Sequence, residues 1–86
     1  MKHNSCTNGG LQNIEFNDNG VDKSVSVVEP GNYTFTPDRE ETIECLTGSL
    51  EINNEPCLPG QKIVVKSGAP FAIVAKEASS YICSYR

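Results

Sequence analysis

The chain has 86 residues, enough for one domain and too few for two, and a domain of that size builds only a thin core. A net charge of -4, with seven Lys and Arg spread along the chain, forms no basic stripe and argues against a nucleic-acid partner, although one or two local cations suffice for a small anion. No apolar run approaches the ~20 residues needed to span a bilayer, and no hydrophobic stretch follows Met1-Lys2-His3 as in a signal peptide, so the expectation is a cytoplasmic protein with no membrane partner.

Residues 1–9 are polar and end in Gly, which reads as a flexible lead-in to a domain over residues 10–86. Leu11, Ile14 and Phe16 mark a first strand, closed by Asn17-Asp18-Asn19-Gly20. Val21, Val25 and Val27 keep period-two spacing within residues 21–28, as in a half-buried strand. Glu29-Pro30-Gly31-Asn32 reads as a turn, because Pro presets φ and Gly accepts the positive φ that follows. Tyr33 and Phe35 alternate with Thr34 and Thr36, a stretch of β-prone residues.

Pro37-Asp38-Arg39 turns the chain into an alternating strand over Glu41 to Leu46, which Gly48 breaks. Leu50 and Ile52 continue it, and Asn53-Asn54-Glu55-Pro56 is the next turn. Strands at Ile63-Val64-Val65 and Phe71 to Ala75 flank the loop Lys66 to Pro70, and a last strand carries Tyr81, Cys83 and Tyr85 on one face. Eight or nine short strands with Gly and Pro at the corners, and no convincing helix, predict an all-β, single-domain jelly-roll or conical β-barrel.

The four cysteines, Cys6, Cys45, Cys57 and Cys83, contain no C-x-x-C pair, and the single His3 stands near the N-terminus. A zinc site built from these lacks the close ligand spacing of structural zinc. Without a secretion signal they read as reduced thiols in strands, with a Cys45–Cys57 bridge across a hairpin as the alternative.

The spacing Gly60, Lys66, Gly68, Phe71 resembles the second cupin motif, and Glu41 with Gly48 resembles the end of the first. Phe71 stands where metal-binding cupins place a His ligand, and the paired His residues that usually precede the Glu are absent, so no metal is expected. The stretches Pro30-Gly31-Asn32-Tyr33-Thr34-Phe35-Thr36, Glu41-Thr42-Ile43-Glu44-Cys45-Leu46-Thr47-Gly48-Ser49-Leu50 and Ser80-Tyr81-Ile82-Cys83-Ser84-Tyr85 resemble the pyrimidine/purine nucleoside phosphorylase family of small bacterial cupin-like proteins. The resemblance runs from about Gly10 to the C-terminus. It implies a metal-free homodimer that needs no cofactor. It further implies cleavage of purine and pyrimidine nucleosides with inorganic phosphate as co-substrate, giving free base and ribose 1-phosphate.

Such a reaction passes through an oxocarbenium-like ribose. It calls for a cationic cradle, groups on the ribose hydroxyls, and a platform or proton donor for the departing base. Lys23, Lys66 and Ser67 are the candidates for the phosphate cradle, and Glu41 is the candidate catalytic carboxylate, facing the ribose. Tyr33, Tyr81 and Tyr85 offer stacking surfaces and phenolic donors to the substrate. Cys83 reads as core, since a nucleophilic cysteine wants a base beside it and no strand carries a His. The rival reading is a non-catalytic cupin module that binds a small sugar or nucleoside.

Overall fold

Tight turns set the strand lengths. Asn19 and Gly20 take φ of 51° and 88°, and Asn53 and Asn54 take 50° and 66°. Two successive positive-φ residues make the turn whose twist matches an antiparallel hairpin, and Asn and Gly tolerate it best. The computed structural model describes residues 1–86 as ten strands and no helix. They are β1 (Lys2–Cys6), β2 (Leu11–Asp18), β3 (Val21–Val28), β4 (Gly31–Phe35) and β5 (Glu41–Thr47), then β6 (Leu50–Ile52), β7 (Glu55–Cys57), β8 (Lys62–Val65), β9 (Phe71–Ala75) and β10 (Ser79–Tyr85).

All pairings are antiparallel. The strands form a six-stranded sheet in the order β1-β2-β3-β10-β5-β8 and a four-stranded sheet in the order β4-β9-β6-β7. The all-β cupin-like class therefore holds, built as two sheets that bury a shared core. Ile43, Cys45, Tyr81 and Cys83 come to it from the large sheet, and Leu50, Ile52, Phe71 and Ile73 from the small one.

Three expectations are corrected. Residues 2–6 are not a loose lead-in: β1 pairs with β2 from Lys2↔Glu15 to Cys6↔Leu11. The polar loop that suggested looseness is the hairpin turn itself, with Thr7, Asn8 and Gly9 all at positive φ and the Gly10 N–H donating to the Thr7 carbonyl at 2.9 Å. Glu55 and Pro56 belong to strand β7, because Asn53-Asn54 alone completes the turn. In β3 the period of two is correct, but its apolar face points outward. Ser24, Ser26 and Val28 are buried while Val21, Val25 and Val27 are exposed. The neighbours on the adjoining strand decide this, since tyrosine hydroxyls from β10 need polar neighbours that a valine face lacks. All four cysteines are free thiols, with Cys45, Cys57 and Cys83 buried and Cys6 exposed.

Candidate active site

The inner face of the large sheet is polar along β2 and β3 and becomes aromatic and aliphatic along β10 and β5. In register, Glu15, Ser24, Cys83 and Ile43 form one cross-strand row, and Asn13, Ser26, Tyr81 and Cys45 form the next. A cavity of about 700 Å³ lies against these rows and is faced by Phe35, Phe71 and Ile73 of the small sheet. That volume falls within the range of small-ligand sites. Phe35 and Phe71 pack with ring centroids 5.7 Å apart and tilted by 39°, which makes one wall an aromatic surface.

The polar wall is satisfied within the protein. The Tyr85 hydroxyl and Ser24 Oγ lie 2.8 Å apart, and Ser26 is the ladder partner of Tyr81. Burial pushes the Tyr85 phenol up to about 12 and drives that of Tyr81 upward as well. Both hydroxyls therefore stay protonated and can donate. Burial raises the Cys83 thiol too, helped by the charge of Glu41 beside it. Cys83 stays a thiol, which removes it as a nucleophile.

Glu41 opens β5 and is half-buried on the cavity wall, opposite Tyr85 in the ladder. Burial raises its carboxyl pKa, and the hydrogen bond with Cys83 pulls the other way. Four carboxylates (Glu15, Asp22, Asp38 and Glu41) and three cations (Lys2, Lys23 and Arg39) line the space. Lys23 is held by Asp18 at 2.8 Å. Among the residues expected at the site, Glu41, Tyr81 and Tyr85 converge on this cavity, and Lys23 borders it from the outward side of β3.

Tyr33, Lys66 and Ser67 do not. Tyr33 is buried elsewhere in the core, its hydroxyl donating to the carbonyls of Glu29 at 2.8 Å and Gly10 at 3.2 Å. Lys66 is turned to solvent and paired with Glu40 at 3.0 Å, while Ser67 Oγ donates to the Asp38 carbonyl at 2.9 Å. The loop that carries both folds against the Pro37–Glu40 turn rather than over the cavity mouth, as the Gly68 N–H bond to the Pro37 carbonyl shows.

Arg39 is the residue that the sequence reading passed over. It sits in a turn, where no periodicity marks a facing, yet it lines the cavity. Its Nη1 meets Asp22 Oδ2 at 2.9 Å, its Nε donates to the Arg86 carbonyl at 2.8 Å, and its guanidinium carbon lies 5.7 Å from the Tyr85 ring centroid. Ser24 and Ser26 were missed for a different reason: small polar residues between valines look like the solvent face of a strand. Taken together, an aromatic wall, two phenolic donors, a desolvated carboxylate and the Arg39 guanidinium suit a ligand with a ring face, several hydroxyls and an anionic co-ligand.

A family model described as pyrimidine/purine nucleoside phosphorylase matches residues 1–85. Proteins of that name from Vibrio vulnificus and Yersinia enterocolitica are each 33% identical to the chain. Both alignments span 99% of this chain, with 98% and 97% of the relative. A crystal structure of a protein of unknown function from Vibrio parahaemolyticus superposes with a TM-score of 0.91 at 31% identity, covering 99% of this chain and 97% of that one. An ethanolamine-utilisation protein of Salmonella typhimurium, at 10% identity and a TM-score of 0.76 over 87% of this chain and 68% of its own, shares the fold alone.

Proposed function

The chain belongs to the pyrimidine/purine nucleoside phosphorylase family, and we propose that it cleaves purine and pyrimidine nucleosides with inorganic phosphate. The observation that carries this reading is the placement of Glu41, a desolvated carboxylate, on one cavity wall with Tyr81, Tyr85 and Arg39. A phosphate oxygen of hydrogen phosphate attacks C1′ of the ribose, the C1′–O bond forms, the C1′–N bond breaks, and the base leaves with the bond pair and takes up the proton that the phosphate gives up. Positive charge builds on the ring in the transition state. Glu41 accepts from the ribose hydroxyls, and its charge counts most at that moment.

Tyr81 and Tyr85 donate to the sugar or the base, and the Phe35–Phe71 wall offers the base an apolar face that does not discriminate purine from pyrimidine. Lys23 supplies positive charge near the phosphate. Phosphate is a co-substrate in this scheme, and no cofactor is used. The working unit is a homodimer in the cytoplasm.

Uridine or inosine incubated with the protein and read by chromatography is expected to release free base only when phosphate is present. Glu41→Gln lowers kcat by about 10- to 100-fold while leaving KM for phosphate nearly unchanged, since its partner is the ribose. Phosphate-independent release points to a hydrolase. Saturable nucleoside binding without turnover favours the binding-module reading, and a protein that neither binds nor cleaves nucleosides overturns both.

A further inference from the structure

Phosphate needs a cation that faces the cavity, is held in position and still has hydrogens to give. Lys66 and Arg86 fail the first condition, since neither lines the cavity, and both are paired with Glu40, at 3.0 Å and 3.4 Å. Lys23 borders the cavity but shares its side of β3 with Val25 and Val27, away from Ser24 and Ser26, and is already paired with Asp18. Arg39 meets all three. Its Nε is anchored to the Arg86 carbonyl and its plane lies near the Tyr85 ring, so its direction is fixed from two sides. Of the five donors on a guanidinium, one goes to that carbonyl and one, on Nη1, goes to Asp22. Nη2 has no protein partner.

Asp22 is held in turn by Asn17, whose Nδ2 donates to Oδ1 at 3.0 Å. Its Oδ2 occupies one prong of the fork that a phosphate oxygen would take. From this geometry we propose that Arg39 binds and orients the phosphate, and that Asp22 is a built-in competitor which holds the guanidinium poised until phosphate displaces it. The inference rests on the phosphorolysis reading for the identity of the anion. Forked contact explains why a guanidinium suits this place: two parallel N–H bonds fix which phosphate oxygen points at the sugar, which a lysine ammonium does not.

Titration calorimetry with inorganic phosphate alone, at constant ionic strength, separates this inference from the reading it rests on. Wild-type protein is expected to bind phosphate, and Arg39→Ala to weaken it about 10- to 100-fold, the loss of charge-assisted bonds. Arg39→Lys recovers only part of the affinity, because it restores charge without the fork. Asp22→Asn is expected to tighten phosphate binding several-fold, a gain that damage to the fold does not produce. Where turnover is measured, Arg39→Ala raises KM for phosphate and leaves KM for nucleoside unchanged.

Unchanged phosphate affinity in Arg39→Ala, with its circular dichroism intact, overturns the inference even if the enzyme is active. Weaker binding in Asp22→Asn overturns the competitor role. Phosphate binding that depends on Arg39 in a protein without turnover upholds the anion site while the phosphorylase reading fails. A wild-type chain that does not bind phosphate overturns the inference.

Discussion

At Glu41 the chemistry and the stability of the protein pull in opposite directions. The reaction calls for an ionised carboxylate against the ribose, yet burial raises the pKa of that carboxyl above its ordinary value of 4.5 and so penalises the charge. The sign follows from linkage. A carboxyl raised on folding contributes fully to stability while protonated, below its ordinary pKa, and that contribution is lost as pH rises through the raised value. Glu40 and Asp22 run the other way. The bond from Lys66 holds Glu40 below its ordinary value, and the bonds from Asn17 and then Arg39 do the same for Asp22, so both favour the fold less as pH falls. Comparison of Tm against pH for the wild type and Glu41→Gln isolates the one residue. The variant is expected to be the more stable at neutral pH, with the gap closing toward acid, and parallel curves would remove the desolvation argument. The placement of Tyr81 and Tyr85 on one face was legible in the sequence because strand alternation assigns a facing, and that of Glu41 because its place before Gly48 resembles an inward-facing cupin position. Arg39 was not, because a turn has no period, and Lys66 misled because the cupin-like Gly spacing locates its loop but not the way the loop folds.

Among the elements, the β5–β6 junction is the least forgiving. Gly48 sits at φ 86°, and a Cβ there would fall 2.7 Å from the Ala78 carbonyl oxygen, with Ser79 closer still. Ser79 Oγ accepts from the Ser49 N–H at 3.0 Å, so the start of β10 and the start of β6 are tied together at this point. Because these strands lie in different sheets, the junction helps set how the two sheets meet over the cavity. Gly48→Ala combines an unfavourable φ with a clash against backbone, and is expected to cost at least about 1–3 kcal/mol. In a chain of this length each kcal/mol moves Tm by roughly 4–8 °C, so thermal unfolding reads it directly. A shift under about 2 °C would mean that the junction relaxes without strain. The sequence marked this corner through its Gly, as it marked nearly every turn. It did not reveal β1, whose polar residues carry no alternation. Nor did it reveal the facing of β3, where the inward serines are fixed by partners sixty residues away, as Ser24 and Tyr85 illustrate.

For the whole molecule, the inverted β3 leaves an apolar surface that the single chain does not cover. Ile14 and Val25 are partners in the ladder, Val25 pairs with Ile82 on its other side, and Val27 is the next outward residue. Ile14, Val25 and Val27 are 45%, 36% and 56% exposed. The far end of the same face carries the Glu44–Lys62 ion pair, so the apolar patch is centred on β2, β3 and β10 and has a polar border. Contiguous apolar surface with a polar border is how association sites usually look. A thin core adds the incentive, because a small domain that pairs through such a face gains buried area it cannot find alone. The expected assembly is a two-fold dimer through this face, with a light-scattering mass of twice the 9.3 kDa chain and a Tm that rises with protein concentration. Val25→Lys together with Val27→Lys places four like charges across the two-fold interface and should give a monomer. The fold should survive, since both side chains already face outward. The cavity lies on the opposite face of the sheet, so the monomer should keep its affinity for phosphate while losing thermal stability. A wild-type mass near that of one chain, at a concentration where the protein is folded, would assign the exposed valines no role in self-association.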